Sequence, residues 1–212
     1  MNTPSPGHRP PERPHKLLLA TTNQGKLREY RRLFADLPLE LLSPADAGIA
    51  LEVAEDADTF AGNARLKAAA FARESGLPTL ADDSGLEVDA LGGEPGTRSA
   101  RYAGDDATDA ERLSFLLGKM KDVPWEKRSA RFRCAIALVL PDGNVRYTDG
   151  TAEGIIALTP RGENGFGYDP VFYLPSRERT MAEITAEEKD RISHRGEAAR
   201  RAHDMLAEEF GG

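Results

Sequence analysis

The sequence has little cysteine, no long apolar run and no excess of positive charge. Its single cysteine, Cys134, excludes a disulfide within the chain and lies in an apolar run, which favours a small buried hydrophobic residue. That run, Cys134 to Leu140, is the longest strongly apolar stretch and is too short to cross a bilayer. No segment combines a basic start with the apolar run of a secretory signal, which predicts a cytoplasmic protein.

The charge balance excludes some partners and permits others. Lys and Arg total 28 against 35 Asp and Glu, a formal net charge of -7. A nucleic-acid surface normally carries a basic excess, so an RNA-binding module is disfavoured. A small anion is not, because a few local Lys and Arg residues and a divalent cation can hold a triphosphate.

Proline is concentrated at the start of the chain. Residues 1 to 15 contain several prolines and almost no apolar residues, which predicts a disordered tail. Residues 16 to 212 are predicted to form a single domain. Strands that alternate with helices, followed by a hairpin signal at Pro141 to Gly143, predict an α/β fold with a mixed β-sheet and helical layers.

The apolar spacing and the turn residues also predict the individual elements. Strands are expected at 17–20, 130–140, 144–158 and 171–174, and helices at 26–36, 59–75, 109–120 and from Ser193 onward. Thr108 and Glu111 have the spacing of a capping box. Segments 92–106 and 161–169 are rich in glycine and are predicted to be loops.

A polar segment lies between the first predicted strand and helix: Thr21, Thr22, Asn23, Gln24, Gly25 and Lys26. Its hydroxyl, amide and ammonium groups, with the backbone donors of a helix N-terminus, can surround phosphate oxygens. The same residues are also ordinary caps between a strand and a helix, and the P-loop spacing GxxxxGK[ST] is absent. The residues alone leave both interpretations open.

An acidic segment, Asp82-Asp83-Ser84-Gly85, follows an apolar stretch and is predicted to be a turn, with Glu55 and Asp56 upstream. Mg²⁺ commonly takes one or two carboxylates and completes its shell with phosphate and water. Adjacent carboxylates at a strand end suit that need. A solvated turn with an Asx cap is the alternative.

Two further segments carry candidate base contacts: Phe166, Gly167, Tyr168 and Asp169 in a glycine-rich loop, and Lys189, His194 and Arg195 around the start of the last helix. An aromatic face on a permissive backbone can stack a base, although aromatic residues near glycine also anchor loops to a core. The planar donors of arginine suit a purine O6 or N7, although a charged helix start explains these residues equally well.

Taken together, these segments resemble the inosine triphosphate pyrophosphatase family, specifically the bacterial XTP/dITP diphosphatases. The matching stretches run in family order from about Lys16 to the last helix: LLLATTNQGKLREY, DTFAGNARLKA, LADDSGLEVDALGGEPGTRSARYAG, GFGYDPVFYLP and EKDRISHRGEA. The resemblance implies an elongated mixed sheet with two lobes around a central substrate cleft, usually in a homodimer. It also implies Mg²⁺-dependent hydrolysis of ITP, dITP and XTP to monophosphate and pyrophosphate.

The resemblance assigns expected roles to individual residues. Thr21 to Lys26 match the triphosphate-binding turn. Asp83 matches the metal-linked catalytic carboxylate, Glu55 a second metal-associated carboxylate, and Ser84 a substrate contact. Base and phosphate contacts are implied for Phe166, Gly167, Tyr168, Asp169, Lys189, His194 and Arg195.

The chain departs from the family pattern in two places. Gly62 precedes Asn63 where an acidic residue is common, so the role of Asn63 is left open. Thr97 and Arg98 replace a commoner apolar-aromatic pair, away from the expected chemistry. A nucleotide-binding sensor that has lost hydrolysis is the main rival interpretation, and the intact Asp82-Asp83-Ser84 stretch argues against it.

Overall fold

The computed structural model describes residues 14–211 and confirms the predicted α/β class, with seven strands in one mixed sheet. The strands are β1 His15–Leu19, β2 Leu39–Leu42, β3 Thr79–Val88, β4 Ser129–Val139, β5 Val145–Ile156, β6 Phe172–Leu174 and β7 Arg179–Thr180. The helices are α1 Gln24–Leu33, α2 Phe60–Ser75, α3 Asp109–Lys119, α4 Ala186–Ile192 and α5 His194–Phe210. Residues 1–13 of the predicted tail lie outside the described residues. β1 begins at His15, the last residue assigned to that tail.

The sheet order is β2-β1-β3-β4-β5-β6-β7. β1 is parallel to β2 and β3, whereas the pairs from β3 to β7 are antiparallel. β1 pairs with β3 only at Leu18↔Thr79 and Leu19↔Leu80, while β3 pairs with β4 as far as Val88↔Ala130. β3 therefore extends past the end of β1, and the polar segment after β1 lies beside this extension.

The predicted turn at Asp82 to Gly85 is wrong, because these residues lie inside β3. Side chains alternate between the two faces of a strand. Leu80 belongs to the apolar cluster under α1 and α5, and Ala81 belongs to the cluster under α2. Asp82 therefore faces α1 and α5, and Asp83 faces α2. Both aspartates are buried, which a strand tolerates when each carboxylate has a partner from another element.

Three apolar clusters form the core, two at one end of the sheet and one at the other. Two clusters flank the β1 end of the sheet, one on each face, beneath α1 with α5 and beneath α2. The third lies at the far end, where α3 packs near β6 and the long strands through Leu86, Leu116, Phe132 and Phe172. The two lobes expected from the family resemblance correspond to these ends.

The helix ends follow local capping chemistry. Asn23 accepts a hydrogen bond from Lys26 N, which starts α1 at Gln24 rather than at the predicted Lys26, and α1 ends earlier than predicted. Thr59 caps α2, and Gly76, with φ of 67°, ends it. Thr108 with its capping box and Ser193 begin α3 and α5 as predicted.

Several short elements were not predicted from the sequence. These are β2, β7, α4 and 3₁₀ turns, one of which, Gly96–Arg101, lies within a predicted loop. Val171 ends such a turn, so β6 begins one residue later than expected. Among the described residues no helix has the length and apolarity needed to span a membrane.

Candidate active site

A cleft of about 590 Å³ lies where β3 extends beyond β1. It brings together most of the residues singled out in the sequence: Thr21, Thr22, Asn23, Lys26, Glu55, Asp83, Ser84, Phe166, Gly167, Tyr168, Asp169, Lys189, His194 and Arg195. Gln24 and Gly25 are not part of its lining. The segments were distant in sequence, so their convergence is a property of the fold.

The segment after β1 is both a helix cap and a wall of the cleft. Thr21 Oγ1 accepts a hydrogen bond from Asn23 N at 3.2 Å, and Asn23 Oδ1 accepts one from Lys26 N at 3.1 Å. Lys26 Nζ forms an ion pair with Asp82 Oδ1 at 3.0 Å. The two interpretations of this segment are therefore compatible.

Gly25 lies inside α1, and its role is spatial. A Cβ atom built at this position would lie 2.5 Å from Phe166 Cδ1, closer than any real carbon contact. The Phe166 ring thus packs directly on the first turn of α1. The neighbouring Gln24 turns back and donates to Thr22 O at 3.3 Å.

The acidic end of the cleft, which we define as Asp83, Glu55, Asn63 and Lys67, is organised around a buried carboxylate. Asn63 Nδ2 donates to Asp83 Oδ2 at 2.9 Å, and Ser84 N donates to Asp83 Oδ1 at 2.9 Å. Asn63 Oδ1 in turn accepts from Ala57 N, so the amide is fixed on both sides. Burial raises the pKa of Asp83, and the nearby Glu55 charge adds to this shift.

Lys67 neutralises part of this acidic end. Its ammonium forms an ion pair with Glu55 Oε1. Burial opposes the charge on Lys67, but Asp82, Glu55 and Asp83 together raise its pKa. Lys67 follows Asn63 by one helical turn of α2, so both side chains lie on the same helix face; Lys67 lines the cleft, and Asn63 is buried behind Asp83.

The oxygen donors at the acidic end fit a hard divalent cation. Asp83 and Glu55 lie close enough for their charges to repel, and a cation relieves such repulsion. No group of three acidic, histidine or cysteine side chains within residues 14–211 forms a metal cage. Mg²⁺ at this place would take its remaining ligands from phosphate and water, as it commonly does.

The aromatic end of the cleft consists of Phe166, Lys189, His194 and Arg195. The Phe166 ring centroid lies 4.7 Å from Lys189 Nζ and 5.5 Å from Arg195 Cζ. Phe166 N donates to Asp169 Oδ2 at 2.9 Å, which fixes the backbone of the loop. The Phe166 ring therefore lines the cleft close to two cations.

Arg195 is buried among acceptors. Its Nε and Nη2 donate to Asp82 Oδ2 at 3.2 and 3.1 Å, and Nη2 also donates to Ser84 Oγ at 2.7 Å. Its Nη1 donates to Glu29 Oε2 at 2.6 Å. Burial opposes ionisation of Asp82, yet Lys26 and Arg195 hold its pKa well below the usual range.

His194 and Tyr168 have different surroundings. The His194 ring stacks on Phe132 with centroids 4.6 Å apart, and its Nδ1 has no hydrogen-bond partner within residues 14–211. Burial, reinforced by Arg195 and Lys189, lowers the pKa of His194 well below its ordinary value. Tyr168 is packed in the far apolar cluster and donates to Ser99 O at 2.9 Å. Tyr168 anchors the loop, whereas Phe166 faces the cleft.

Comparison with known proteins places this geometry in a family. The model of the Ham1 family matches residues 17–205. The chain belongs to the Ham1 family. It is 50% identical to a dITP/XTP pyrophosphatase of Geobacillus kaustophilus over 197 residues, covering 93% of this chain and 97% of that protein. It is 52% identical to a dITP/XTP pyrophosphatase of Thermus thermophilus over 185 residues, covering 87% of this chain and 88% of that protein.

Solved Ham1 structures share the fold. A HAM1 protein from Coxiella burnetii superposes with a TM-score of 0.83 at 43% identity, covering 92% of this chain and 99% of that one. A nucleoside-triphosphatase, dITP/XTP pyrophosphatase, from Mycobacterium abscessus superposes with a TM-score of 0.72 at 44% identity, covering 90% and 98%. The family resemblance stated from the sequence motifs is therefore confirmed.

Three residues of this Ham1-family site had no role assigned from the sequence. The sequence does not assign a role to Asn63, which in the structure donates a hydrogen bond to Asp83. Lys67 pairs with Glu55. Glu29 is buried in α1 and pairs with both Lys189 Nζ, at 2.8 Å, and Arg195 Nη1. Glu29 lies to one side of the apolar stripe of Leu27, Tyr30 and Phe34 on α1, so helical periodicity gave no signal for its burial.

Proposed function

We propose that this Ham1-family chain hydrolyses non-standard purine nucleoside triphosphates, namely ITP, dITP and XTP, to the monophosphate and pyrophosphate with Mg²⁺. The observation that carries the proposal is a single cleft that brings Lys26, Lys67 and two carboxylates together with an aromatic ring close to Lys189 and Arg195. The names of two relatives, both dITP/XTP pyrophosphatases, support the same substrate class.

The triphosphate lies along the α1 end of the cleft in this proposal. Lys26 and Lys67 supply positive charge, and the hydroxyls of Thr21 and Thr22 supply donors. The N-terminus of α1 adds backbone donors and the positive end of the helix dipole. Pyrophosphate leaves as water attacks the α-phosphorus, a reaction that depends mainly on positioning and charge neutralisation.

Asp83 is the proposed catalytic carboxylate. Bound Mg²⁺ would neutralise phosphate charge and lower the pKa of a coordinated water. Asp83 and Glu55 would hold the cation, while Asn63 keeps the Asp83 carboxylate in one orientation through its 2.9 Å hydrogen bond. A raised pKa also suits Asp83 as acceptor of the water proton, so cation ligand and base are both compatible with this geometry.

The purine base lies at the aromatic end in this proposal. Phe166 stacks on the base, Lys189 and His194 border it, and Arg195 donates to O6. Adenine carries an amino donor at position 6, so ATP would leave this arginine without an acceptor. GTP shares O6 with ITP, so its exclusion requires crowding or an unpaired donor at the 2-amino group.

A substrate panel tests the proposal. Phosphate release from ITP, XTP, GTP and ATP is measured with and without added inorganic pyrophosphatase. Because that coupling enzyme itself needs Mg²⁺, the arms with EDTA and with restored Mg²⁺ follow the nucleoside monophosphate directly by chromatography. We expect phosphate from ITP and XTP only when pyrophosphatase is present, no activity in EDTA, and recovery with Mg²⁺. Tight binding of ITP without turnover would instead identify a nucleotide sensor. Activity in metal-free buffer would show that hydrolysis needs no divalent cation.

We also propose that the chain acts as a homodimer, as the family resemblance implied, and that it works in the cytoplasm. A substrate drawn from the nucleotide pool fits that location. Light scattering coupled to size exclusion measures the mass directly. A mass near twice the 23.1 kDa of one chain is expected, and a monomer would contradict the proposal.

A further inference from the structure

The loop that carries Phe166 is held at its tip by two carboxylates from different parts of the chain. Phe166 N donates to Asp169 Oδ2, and the next amide, Gly167 N, donates to Asp109 Oδ2 at 2.8 Å. Asp169 belongs to the loop itself. Asp109 is the first residue of α3, which belongs to a separate part of the fold.

Asp109 is fixed before it reaches the loop. Its Oδ1 pairs with Arg112, which also donates to Ala100 O at 3.1 Å and to Ala107 O. Thr108 and its capping box hold the start of α3 in place. The carboxylate therefore has one oxygen bound to its own helix and the other directed at Gly167.

The position of Gly167 decides where the Phe166 ring lies. Gly167 has φ of 61°, a left-handed conformation that glycine adopts without strain. The Phe166 ring is confined by contacts with Gly25, Lys189 and Arg195. One rigid peptide joins Phe166 to Gly167, so a displacement of Gly167 would also displace the Cα atom that carries the ring, and the Asp109 hydrogen bond opposes that displacement.

We propose that Asp109 is a positioning residue for the substrate base, acting through the Gly167 amide and Phe166. Asp109 lies on the cleft lining, but its carboxylate is occupied by Gly167 and Arg112, so its effect is on the loop. The Asp83 end of the cleft does not depend on this contact. The kinetic consequence rests on the proposed function, whereas the amide contact does not.

Steady-state kinetics with ITP tests the role. Asp109→Ala should raise KM about three- to tenfold, the worth of one hydrogen bond, with kcat changed less than about twofold. Asp109→Asn keeps one acceptor oxygen and should recover most of the loss. Asp106→Ala is the matched control, because Asp106 is an exposed acid shortly before the same helix and should leave KM unchanged. A fall in kcat with unchanged KM would overturn the proposal.

A double-mutant cycle with Phe166→Ala tests the route. Asp109→Ala should have no further effect on KM once the ring is absent, and full additivity would refute action through Phe166. Hydrogen exchange of the Gly167 amide in the free protein is the substrate-independent measurement. Exchange should accelerate about tenfold in Asp109→Ala but not in Asp106→Ala, and an unchanged rate would refute the contact even if ITP proved not to be a substrate.

Discussion

Asp82 and Asp83 are adjacent in sequence and serve different parts of the cleft. Because β3 alternates its side chains, Asp82 meets Lys26 and Arg195, whereas Asp83 meets Asn63. Asp82 thereby links a cation of the proposed phosphate site to the arginine of the proposed base site. Asp83 remains available to a cation or a water molecule. The two aspartates have different partners because neighbouring side chains of a strand point to opposite faces of the sheet.

Substitution of Asp83 isolates the proposed catalytic carboxylate. Asp83→Asn keeps the shape of the side chain but leaves one of its two donors, Asn63 Nδ2 or Ser84 N, without an acceptor; it should fold with reduced stability and lose at least about a hundredfold in kcat. Asp122→Asn, at an exposed position, is the control and should be fully active. Turnover of ITP is the measurement. A folded Asp83→Asn protein with near-normal kcat would reject the assignment.

Arg195 stabilises the fold through buried ion pairs and is also the residue proposed to select the base. Arg195→Ala removes one of the two cations that pair with each of Asp82 and Glu29, which keep Lys26 and Lys189, and should cost at most about 3–5 kcal/mol of unfolding free energy. The preference for ITP, measured as kcat/KM for ITP divided by kcat/KM for ATP, should also fall by a factor equivalent to about 1–3 kcal/mol. Arg195→Lys keeps the charge without the planar fork and should recover only part of that ratio. An equal decline with both substrates, in folded protein, would show that base selection lies elsewhere.

The sequence named Asp83, Phe166 and Arg195 as candidates, and the structure brings all three to one cleft, but their partners were not predicted. Local patterns left each candidate ambiguous, because a solvated turn, a loop anchor and a charged helix start look the same, and the expected roles came from the family resemblance. Glu29 and Asn63 act through contacts across the fold, 166 and 20 residues distant in sequence. Single-sequence patterns do not encode such pairings.

At the scale of elements, the long capped helices were the most predictable parts. The caps at Thr59, Thr108 and Ser193 marked helix starts because side-chain oxygens satisfy exposed backbone amides there. β3 was cut short in the prediction because Asp82 and Asp83 read as a solvated turn. The tertiary partners of these carboxylates let the strand continue, and this information is non-local.

The first turn of α1 and the Phe166 loop form one packed unit, which gives a test at Gly25. Glycine to alanine within a helix normally stabilises by about 1 kcal/mol. Gly25→Ala should lack this gain and raise KM for ITP, because the methyl group displaces the Phe166 ring. Gly118→Ala in α3 is the control, since its Cβ meets nothing within 4 Å, and its Tm should rise by about 2–4 °C. A Gly25→Ala enzyme with raised Tm and unchanged KM would contradict the packing.

At the scale of the whole molecule, the burial of a neutral His194 makes the free energy of unfolding depend on pH. The folded pKa lies well below the unfolded value of about 6.5, so below that pH the unfolded chain takes up a proton that the folded chain refuses. The free energy of unfolding should therefore fall as pH drops from 7 to 5, by up to about 1.4 kcal/mol per unit from this group. Denaturant titrations of the parent and His194→Gln check this. An equally steep slope in the variant would assign the effect to other groups.

Hydrolysis of ITP in ¹⁸O-labelled water, followed by ³¹P NMR, reports both the bond broken and the phosphorus attacked. In the proposed reaction the attacking water lies near Asp83 and the leaving pyrophosphate near Lys26. We therefore expect inosine monophosphate and pyrophosphate as products, with the isotope-shifted resonance on the monophosphate. Inosine diphosphate with phosphate as products, or the label in pyrophosphate, would contradict the proposed reaction.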